Sequence, residues 1–417
     1  MKKVMTILAA LLSGSVAFAQ ADAACQEIPA KFGLYGFIRN YAVFDTRESS
    51  AGTQDLYFYM PKGVSRDADG KDVNAVPSFR MYSLTTRLGL KLSGYQFGAV
   101  RVDGAVEADF YSMSGSTAVL RMRQAYVGVG RNFDDGSRLV VNIGQTWHPL
   151  AADMPHITNL ETGAPFNPFN RSPQVMAHYD FGAHFTLTGG FLFPMQYQPT
   201  GPDGKSSNYN KYGLVPETYL ALSYKDGGFL GRVGVNVLTL KPYVKASAYM
   251  AAVTPMLYLQ YTRGMFQVKA KSVLAQAGEH LNLLSGYGVA AHAPSDNAYA
   301  FTPMQDWASF VSFQYGKKFQ VLGMLGYMKQ LGTTADLKDA NDSALFWLNT
   351  SADTSIHQAF RATPTVAWNL GKLTFSLEYN LTAGQFGEGT RNARGGYDKA
   401  GSWVINHRFI WMTKFNF

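Results

Sequence analysis

The stretch Tyr82-Ser83-Leu84-Thr85-Thr86-Arg87-Leu88-Gly89-Leu90-Lys91-Leu92-Ser93 decides the fold. Tyr82, Leu84, Thr86, Leu88, Leu90 and Leu92 share one parity, and Ser83, Thr85, Arg87, Gly89, Lys91 and Ser93 share the other. Successive side chains of an extended chain point to opposite faces, so this is a strand with one greasy and one cationic face. The next run repeats the pattern, setting Val100, Val102, Gly104, Val106, Ala108 and Phe110 against Arg101, Asp103, Ala105, Glu107, Asp109 and Tyr111. Leu120, Met122 and Tyr126 alternate with Arg121, Arg123 and Ala125, and Leu373, Phe375, Leu377, Tyr379 and Leu381 with Lys372, Thr374, Ser376, Glu378 and Asn380.

Runs of this kind number about sixteen, each of about 9 to 14 residues, the length a tilted strand needs to cross a bilayer. They begin near 32, 79, 99, 119, 138, 174, 184, 216, 228, 253, 265, 305, 318, 356, 372 and 403. Short Gly-rich turns at 181–183, 225–228, 263–264 and 369–372 alternate with long polar loops at 45–78, 148–172, 198–215, 277–303, 330–355 and 383–401. A soluble β-sandwich also alternates, but its strands are about half as long and it carries more surface charge. Only 16% of the 417 residues are charged while 14% are aromatic, and Trp307, Phe313, Tyr315, Trp403, Phe409 and Trp411 recur near strand ends on the apolar parity, as in an aromatic girdle. One cysteine excludes disulfide scaffolds and cysteine-clustered metal sites. The expected fold class is an all-β, transmembrane antiparallel β-barrel of about 16 strands over residues 32–417, closed because an open edge cannot survive in lipid.

The chain begins Met1-Lys2-Lys3, continues through an apolar stretch from Thr6 to Val16 and reaches Ala17-Phe18-Ala19, which reads as a secretory signal over 1–19 cleaved after Ala19. Ala21-Asp22-Ala23 is a second possible cleavage site. Removal of Lys2 and Lys3 takes two charges from the formal net of +8. A short periplasmic segment, 20–31, follows; Asp22 stands where lipidation of Cys25 needs a leucine-like residue, so an inert thiol is expected. After the signal there is no apolar run of the length of a membrane helix. The chain ends Trp411-Met412-Thr413-Lys414-Phe415-Asn416-Phe417, aromatics on alternate positions, which resembles the terminal strand of Gram-negative outer-membrane barrels.

Trp147, His148, Asp153, His156, Phe166, Phe169 and Arg171 punctuate the loop of about 148–172. Its prolines and aromatics make it too stiff and apolar to wave in water, so it is expected to fold inward as a constriction, the alternative being a loop packed on the rim or on a neighbouring subunit. His148, Asp153 and His156 lack a metal-ligand spacing, and no metal or cofactor is expected. Asp67-Ala68-Asp69-Gly70-Lys71-Asp72 fails as a calcium loop because Lys71 occupies a ligand position and Ser78 replaces the bidentate glutamate. Gly201-Pro202-Asp203-Gly204-Lys205-Ser206 lacks the first glycine of a phosphate loop, where Pro199 stands. Neither Gly-x-Ser-x-Gly nor His-Glu-x-x-His occurs, which leaves a barrel lipase assembled from separate strands as the remaining enzyme reading.

Parity assigns Arg87, Lys91, Arg101, Arg121, Arg123, Lys269, Lys271, Arg361, Arg408 and Lys414 to the wet face, against Asp103, Glu107, Asp109 and Glu378. That excess in a low-dielectric wall favours anions, unless pairs such as Arg101 and Arg121 with Glu107 or Asp109 neutralise it.

Arg121-Met122-Arg123-Gln124-Ala125-Tyr126 resembles the Arg-x-Arg-x-Ala-Tyr strand of the DcaP-like trimeric outer-membrane porins, the dicarboxylate-type channels, and of related Bacteroides-group porins. Gly144-Gln145-Thr146-Trp147 followed by Phe169-Asn170-Arg171-Ser172-Pro173-Gln174 resembles their strand and inward-loop boundary. The resemblance implies passive uptake of small, often anionic solutes such as dicarboxylates through a homotrimer. The long coiled-coil segment of some members has no counterpart between Ala19 and Phe32, so a trimer here would pack through its barrel walls. The expected function is an outer-membrane porin of a Gram-negative bacterium, a passive diffusion channel for small hydrophilic anionic or neutral solutes, with membrane lipid and lipopolysaccharide as surroundings and no role in nucleic-acid binding. A loop-plugged adhesin or structural anchor is the alternative, and a channel for hydrophobic substrates would want apolar residues where Arg and Lys stand.

Overall fold

Alternation becomes register in the structure, a computed structural model that describes residues 31–114, 117–291, 299–339, 345–346 and 355–417. The expected signal at 1–19, the segment following it and Cys25 lie outside the described residues. The sixteen spanning strands are β1 (Lys31–Asp45), β2 (Ser78–Tyr82 and Arg87–Phe97), β3 (Val100–Ser114), β4 (Thr117–Asn132), β5 (Arg138–Trp147), β6 (Arg171–Phe181), β7 (Phe185–Leu192) and β8 (Glu217–Asp226). They continue with β9 (Phe229–Leu240), β10 (Met250–Arg263), β11 (Phe266–Gln276), β12 (Phe301–Gly316), β13 (Phe319–Thr333), β14 (Ile356–Ala362 and Thr365–Leu370), β15 (Leu373–Arg391) and β16 (Tyr397–Asn416). Each pairs antiparallel with its sequence neighbour, and β1 pairs with β16 from Phe37 opposite Asn416 to Asp45 opposite Arg408. The sheet therefore closes and leaves no unpaired backbone edge, as lipid requires.

Leu88, Leu90, Val106, Leu120, Met122, Leu220, Val233, Leu257, Val311, Leu325, Val366 and Leu377 stand exposed on the outer face, with Trp307, Phe313, Tyr315, Trp403, Phe409 and Trp411 exposed among them. So wide an apolar surface is stable against acyl chains and not against water. Strands β12 and β16 start at Phe301 and Tyr397, earlier than the alternation suggests, because they run on past the apolar belt into the long loops.

Two local breaks correct the parity. Between Tyr82 and Arg87 the strand is interrupted, with Thr85 at φ 67° and Leu84 buried, so Tyr82 and Leu84 turn inward while Phe79 and Met81 before the break, and Leu88 and Leu90 after it, face outward. In β4 the pairing slips beside Arg123, and beyond the slip Tyr126 lines an inner chamber while Val127 faces out. One inserted residue reverses every side chain that follows.

The apolar core lies inside the barrel. Leu150, Ala164, Phe166 and Phe169 from the 148–170 segment pack with Tyr59 and Met60 against Tyr219, Met256, Tyr258, Met304, Phe310, Met324 and Met328 of β8, β10, β12 and β13. Tyr59 and Met60 come from the hairpin Ser49–Gly52 with Tyr57–Pro61. Burying each large side chain contributes about 1.5–3 kcal/mol, which fastens the loops to one side of the wall. On the opposite side, β1 to β5 face a cavity.

Candidate functional site

Arginine positions follow from inward parity on β1 to β4. Asp109 of β3 lies opposite both Arg87 of β2 and Arg121 of β4, while Glu107 lies beside the β4 slip that pushes Arg123 inward. Arg121 Nε donates to Asp109 Oδ1 at 3.1 Å; Arg123 donates to Glu107 Oε1 at 2.8 Å and to Asp109 Oδ2 at 2.6 Å. Arg87 stands 3.4 Å from Glu107. Arg39 of β1 donates from Nε and Nη2 to Thr85 Oγ1 at 3.0 and 2.7 Å, an acceptor presented by the break in β2. These groups also sit against rings: Arg39 on Phe37 at 4.7 Å, Arg87 on Phe37 at 4.8 Å and Arg121 on Tyr111 at 4.3 Å. Cation–π contacts hold the flexible side chains against the wall.

Arg171, first residue of β6, completes the arc. Its guanidinium lies 4.6 Å from the Trp147 ring and 5.3 Å from the Phe169 ring, and neither Nη1 nor Nη2 has a hydrogen-bond partner although both are buried. Together these side chains line a cavity of about 830 Å³, facing Ile157–Leu160 of the inward loop, Tyr57 and Tyr59 of the hairpin, and Gln196, Tyr197 and Lys205 of the 193–216 loop. Among the described residues, Arg39, Arg87, Arg121, Arg123, Arg171 and Lys205 are in its lining, and no carboxylate is. Glu107 and Asp109 sit behind the arginines, so the wall keeps an excess of positive charge.

Of the wet-face cations expected from parity, Arg87, Arg121 and Arg123 come together here. Arg101 pairs with Asp103 at 3.1 Å and lines a separate inner chamber of about 660 Å³ with Tyr126 and Asn142, and Lys91 rests 5.0 Å from the Tyr35 ring. Lys269, Lys271, Arg361 and Arg408 are corrections, because they face inward but do not line the cavity. Lys269 donates to Met154 O at 3.0 Å, and Lys271 to Leu150 O and Asn167 Oδ1, both at 2.9 Å. Arg361 is fully buried, donating to Glu161 Oε1 at 2.8 Å, Ala164 O at 3.0 Å and Tyr59 O at 2.7 Å. Arg408 donates to Asp55 O beside the hairpin. These four cations bind loop carbonyls that would otherwise be buried without donors.

The seven loop positions divide likewise. Trp147, Phe169 and Arg171 line the cavity, whereas Phe166 is buried in the loop core. Asp153 pairs with Arg232 of β9. His156 N donates to Ser312 Oγ at 2.7 Å and its Nε2 meets Gln267 Oε1 at 2.7 Å; burial first and then Lys269 push its pKa down to about 4, so it adds no charge near neutrality. His148 is sealed against Glu217 of β8, 3.1 Å from Nε2 to Oε1. The loop thus crosses the lumen and adheres to the β8–β15 wall. Arg39 was legible from its parity opposite Ile38, but Lys205, Tyr57 and Tyr197 reach the cavity from long loops whose paths alternation does not encode.

No protein-family model matches the chain, and no curated protein matches it. Among solved structures, the outer membrane channel DcaP of Acinetobacter baumannii superposes with a TM-score of 0.65 at 18% identity, covering 93% of this chain and 97% of that one. The anion-selective porin from Comamonas acidovorans gives 0.53 at 12% identity over 93% of this chain and 100% of its own, and the outer-membrane expressed OmpT of Vibrio cholerae 0.52 at 12% over 93% and 98%. The fold of this chain is therefore the closed sixteen-stranded barrel of the outer-membrane porins, with DcaP similar over nearly its full length.

Proposed function

We propose that the protein is an outer-membrane porin, a passive diffusion channel for small hydrophilic solutes that prefers anions such as dicarboxylates and works as a homotrimer. The observation that carries this reading is the cavity wall, which among the described residues holds six cationic side chains and no carboxylate, with Arg171, whose Nη1 and Nη2 lack partners there, among them. A planar guanidinium binds a carboxylate through two parallel hydrogen bonds, and a dicarboxylate offers two such ends to a wall that holds several. Fixed positive charge in a narrow aqueous passage raises the local anion concentration and lowers that of cations. Because the arginines are pinned by carboxylates and rings, a passing solute contacts them without ordering a long side chain. The similar solved proteins include one described as an anion-selective porin and one described as a trimer form, in keeping with both parts of the proposal.

Single-channel recording of the refolded mature protein in planar bilayers, with a KCl gradient and added dicarboxylates, tests it. Stable steps with an anion-leaning reversal potential, perturbed by dicarboxylates, are expected; cation-selective steps overturn the anion preference. The rival reading, a plugged adhesin or anchor, draws on the loop core that fills the β8–β13 side of the lumen. A folded barrel without conductance would establish that reading in place of a channel.

A further inference from the structure

We propose that His148, Glu217 and His280 form a metal site for a zinc-type divalent cation, which clamps the inward loop and the short 3-10 turn Gly278–Leu281 to the barrel wall. The three residues come from separate elements: His148 follows β5, Glu217 opens β8, and His280 lies in the turn after β11. All three are buried, and their donor atoms lie within 4.8 Å of one another. His148 Nε2 and His280 Nε2 converge on one carboxylate oxygen, Glu217 Oε1, at 3.1 and 2.7 Å, and Asn236 Nδ2 of β9 reaches it at 2.6 Å.

Hydrogen bookkeeping shows why the cluster suits a cation. His280 Nδ1 faces the Ala277 carbonyl at 3.3 Å and holds a proton there, which turns the Nε2 lone pair toward Glu217. Two acceptors 2.7 Å apart need a proton or a metal ion between them. The other carboxylate oxygen, Glu217 Oε2, and the amide oxygen of Asn236 are both buried without a hydrogen-bond partner, a costly arrangement in a protein interior. Protons satisfy both imidazole contacts but leave Glu217 Oε2 bare, whereas a metal ion takes both imidazoles and either carboxylate oxygen. Two imidazoles and a carboxylate are a common zinc donor set, and a backbone carbonyl on Nδ1 is the usual orienting partner of a zinc-bound histidine. Tetrahedral ligands at zinc stand about 3.3 Å apart, so each imidazole nitrogen draws back slightly from Glu217 Oε1, and the two nitrogens, within 4.8 Å of one another, settle at that spacing.

His148 Nδ1 accepts the Leu150 N–H at 3.1 Å, so in the ion-free form its proton sits on Nε2 and is donated to Glu217. Coordination through Nε2 moves that proton to Nδ1, which gives up the Leu150 N–H, and releases the one shared between His280 and Glu217 to solvent. His148, Asp153 and His156 lack a metal spacing in the sequence, and the structure separates them; the partners His148 acquires lie far along the chain.

The mature protein, refolded in detergent with EDTA and then dialysed free of it, is titrated with Zn²⁺ by calorimetry and with Co²⁺ by visible absorption. The expected result is one tight equivalent per chain with a tetrahedral Co²⁺ spectrum, and affinity lowered on the order of 100-fold in Glu217→Gln and in His280→Gln, both retaining the heat-modifiable migration of a folded barrel. No tight equivalent in the wild type, or an affinity in both variants within about threefold of it, overturns the site. Should the variants fail to fold, zinc-edge X-ray absorption of the loaded wild type decides: a first shell containing two imidazoles supports the site, and one of oxygen ligands alone overturns it.

Discussion

Arg171 shows how a single residue sets the character of a passage. Its guanidinium is clasped by Trp147 and Phe169, yet its two terminal nitrogens point at nothing in the protein that accepts a hydrogen bond. Arg171→Gln keeps a polar, though shorter, side chain and removes the charge, so the anion-to-cation permeability ratio from reversal potentials is expected to fall about threefold with the barrel still folded; an unchanged ratio places the selectivity elsewhere. A second residue-scale test concerns Glu279, whose carboxylate takes the Thr200 N–H at 3.0 Å and the Thr200 hydroxyl at 2.6 Å. Burial pushes its pKa up to about 7 from the usual carboxylate range. A raised folded value stabilises the docked loop below the unfolded pKa and loses that contribution as pH rises through about 7. Protease cleavage within 194–206 is therefore expected to be faster at pH 8 than at pH 5, and Glu279→Gln to remove the difference. At this scale the sequence spoke where alternation speaks, as for Arg87 and Arg121, and was silent on Glu217 and His280, whose meeting depends on contacts 63 residues apart in the chain.

Elements were legible to the extent that they are regular. Sixteen strand starts follow from apolar alternation because each spanning strand has to present one face to lipid over its full length. The breaks in β2 and β4 were not legible, since a bulge is one extra residue in an otherwise unchanged pattern, and Tyr82, Leu84 and Tyr126 were misplaced for that reason. The inward loop is the element on which function turns. Its backbone is tied to Lys271, Ser312, Glu378 and Arg361 on four different strands. Deletion of Leu150 to Ala164 removes all four of these ties, and single-channel conductance is expected to rise at least twofold, about the change from doubling the open cross-section; unchanged conductance refutes the constriction. Arg361→Ala leaves Glu161 buried without its partner, an effect of about 3–5 kcal/mol when a sealed ion pair loses one member. Hydrogen exchange should then accelerate in the 150–167 segment and stay slow in β14, whereas equal acceleration in both would mean that Arg361 holds the wall and not the loop.

Closure of the whole barrel depends on one seam. β1 meets β16 along nine residue pairs, and Phe417 continues the contact by donating its N–H to Gly36 O at 3.1 Å. Gly36 sits where β1 leaves β16 and runs beside β2, and an added Cβ there would lie 2.3 Å from the Arg87 carbonyl and 2.8 Å from the Phe417 ring. Backbone cannot yield to that contact without parting strands, so the terminal aromatic and the glycine are complementary halves of the closing joint. The alternating Trp411, Phe415 and Phe417 were visible in sequence as a terminal strand, but the glycine that receives them was not, because a lone glycine in a strand carries no signal of what approaches it. Gly36→Val is expected to reduce the yield of heat-modifiable folded barrel at least several-fold on refolding into detergent, while the apolar change Val366→Leu on the exposed outer face leaves it unchanged. If Gly36→Val folds as well as the wild type, the seam has slack, and closure must then be driven by the loop core that bridges the interior and not by the fit of the first strand to the last.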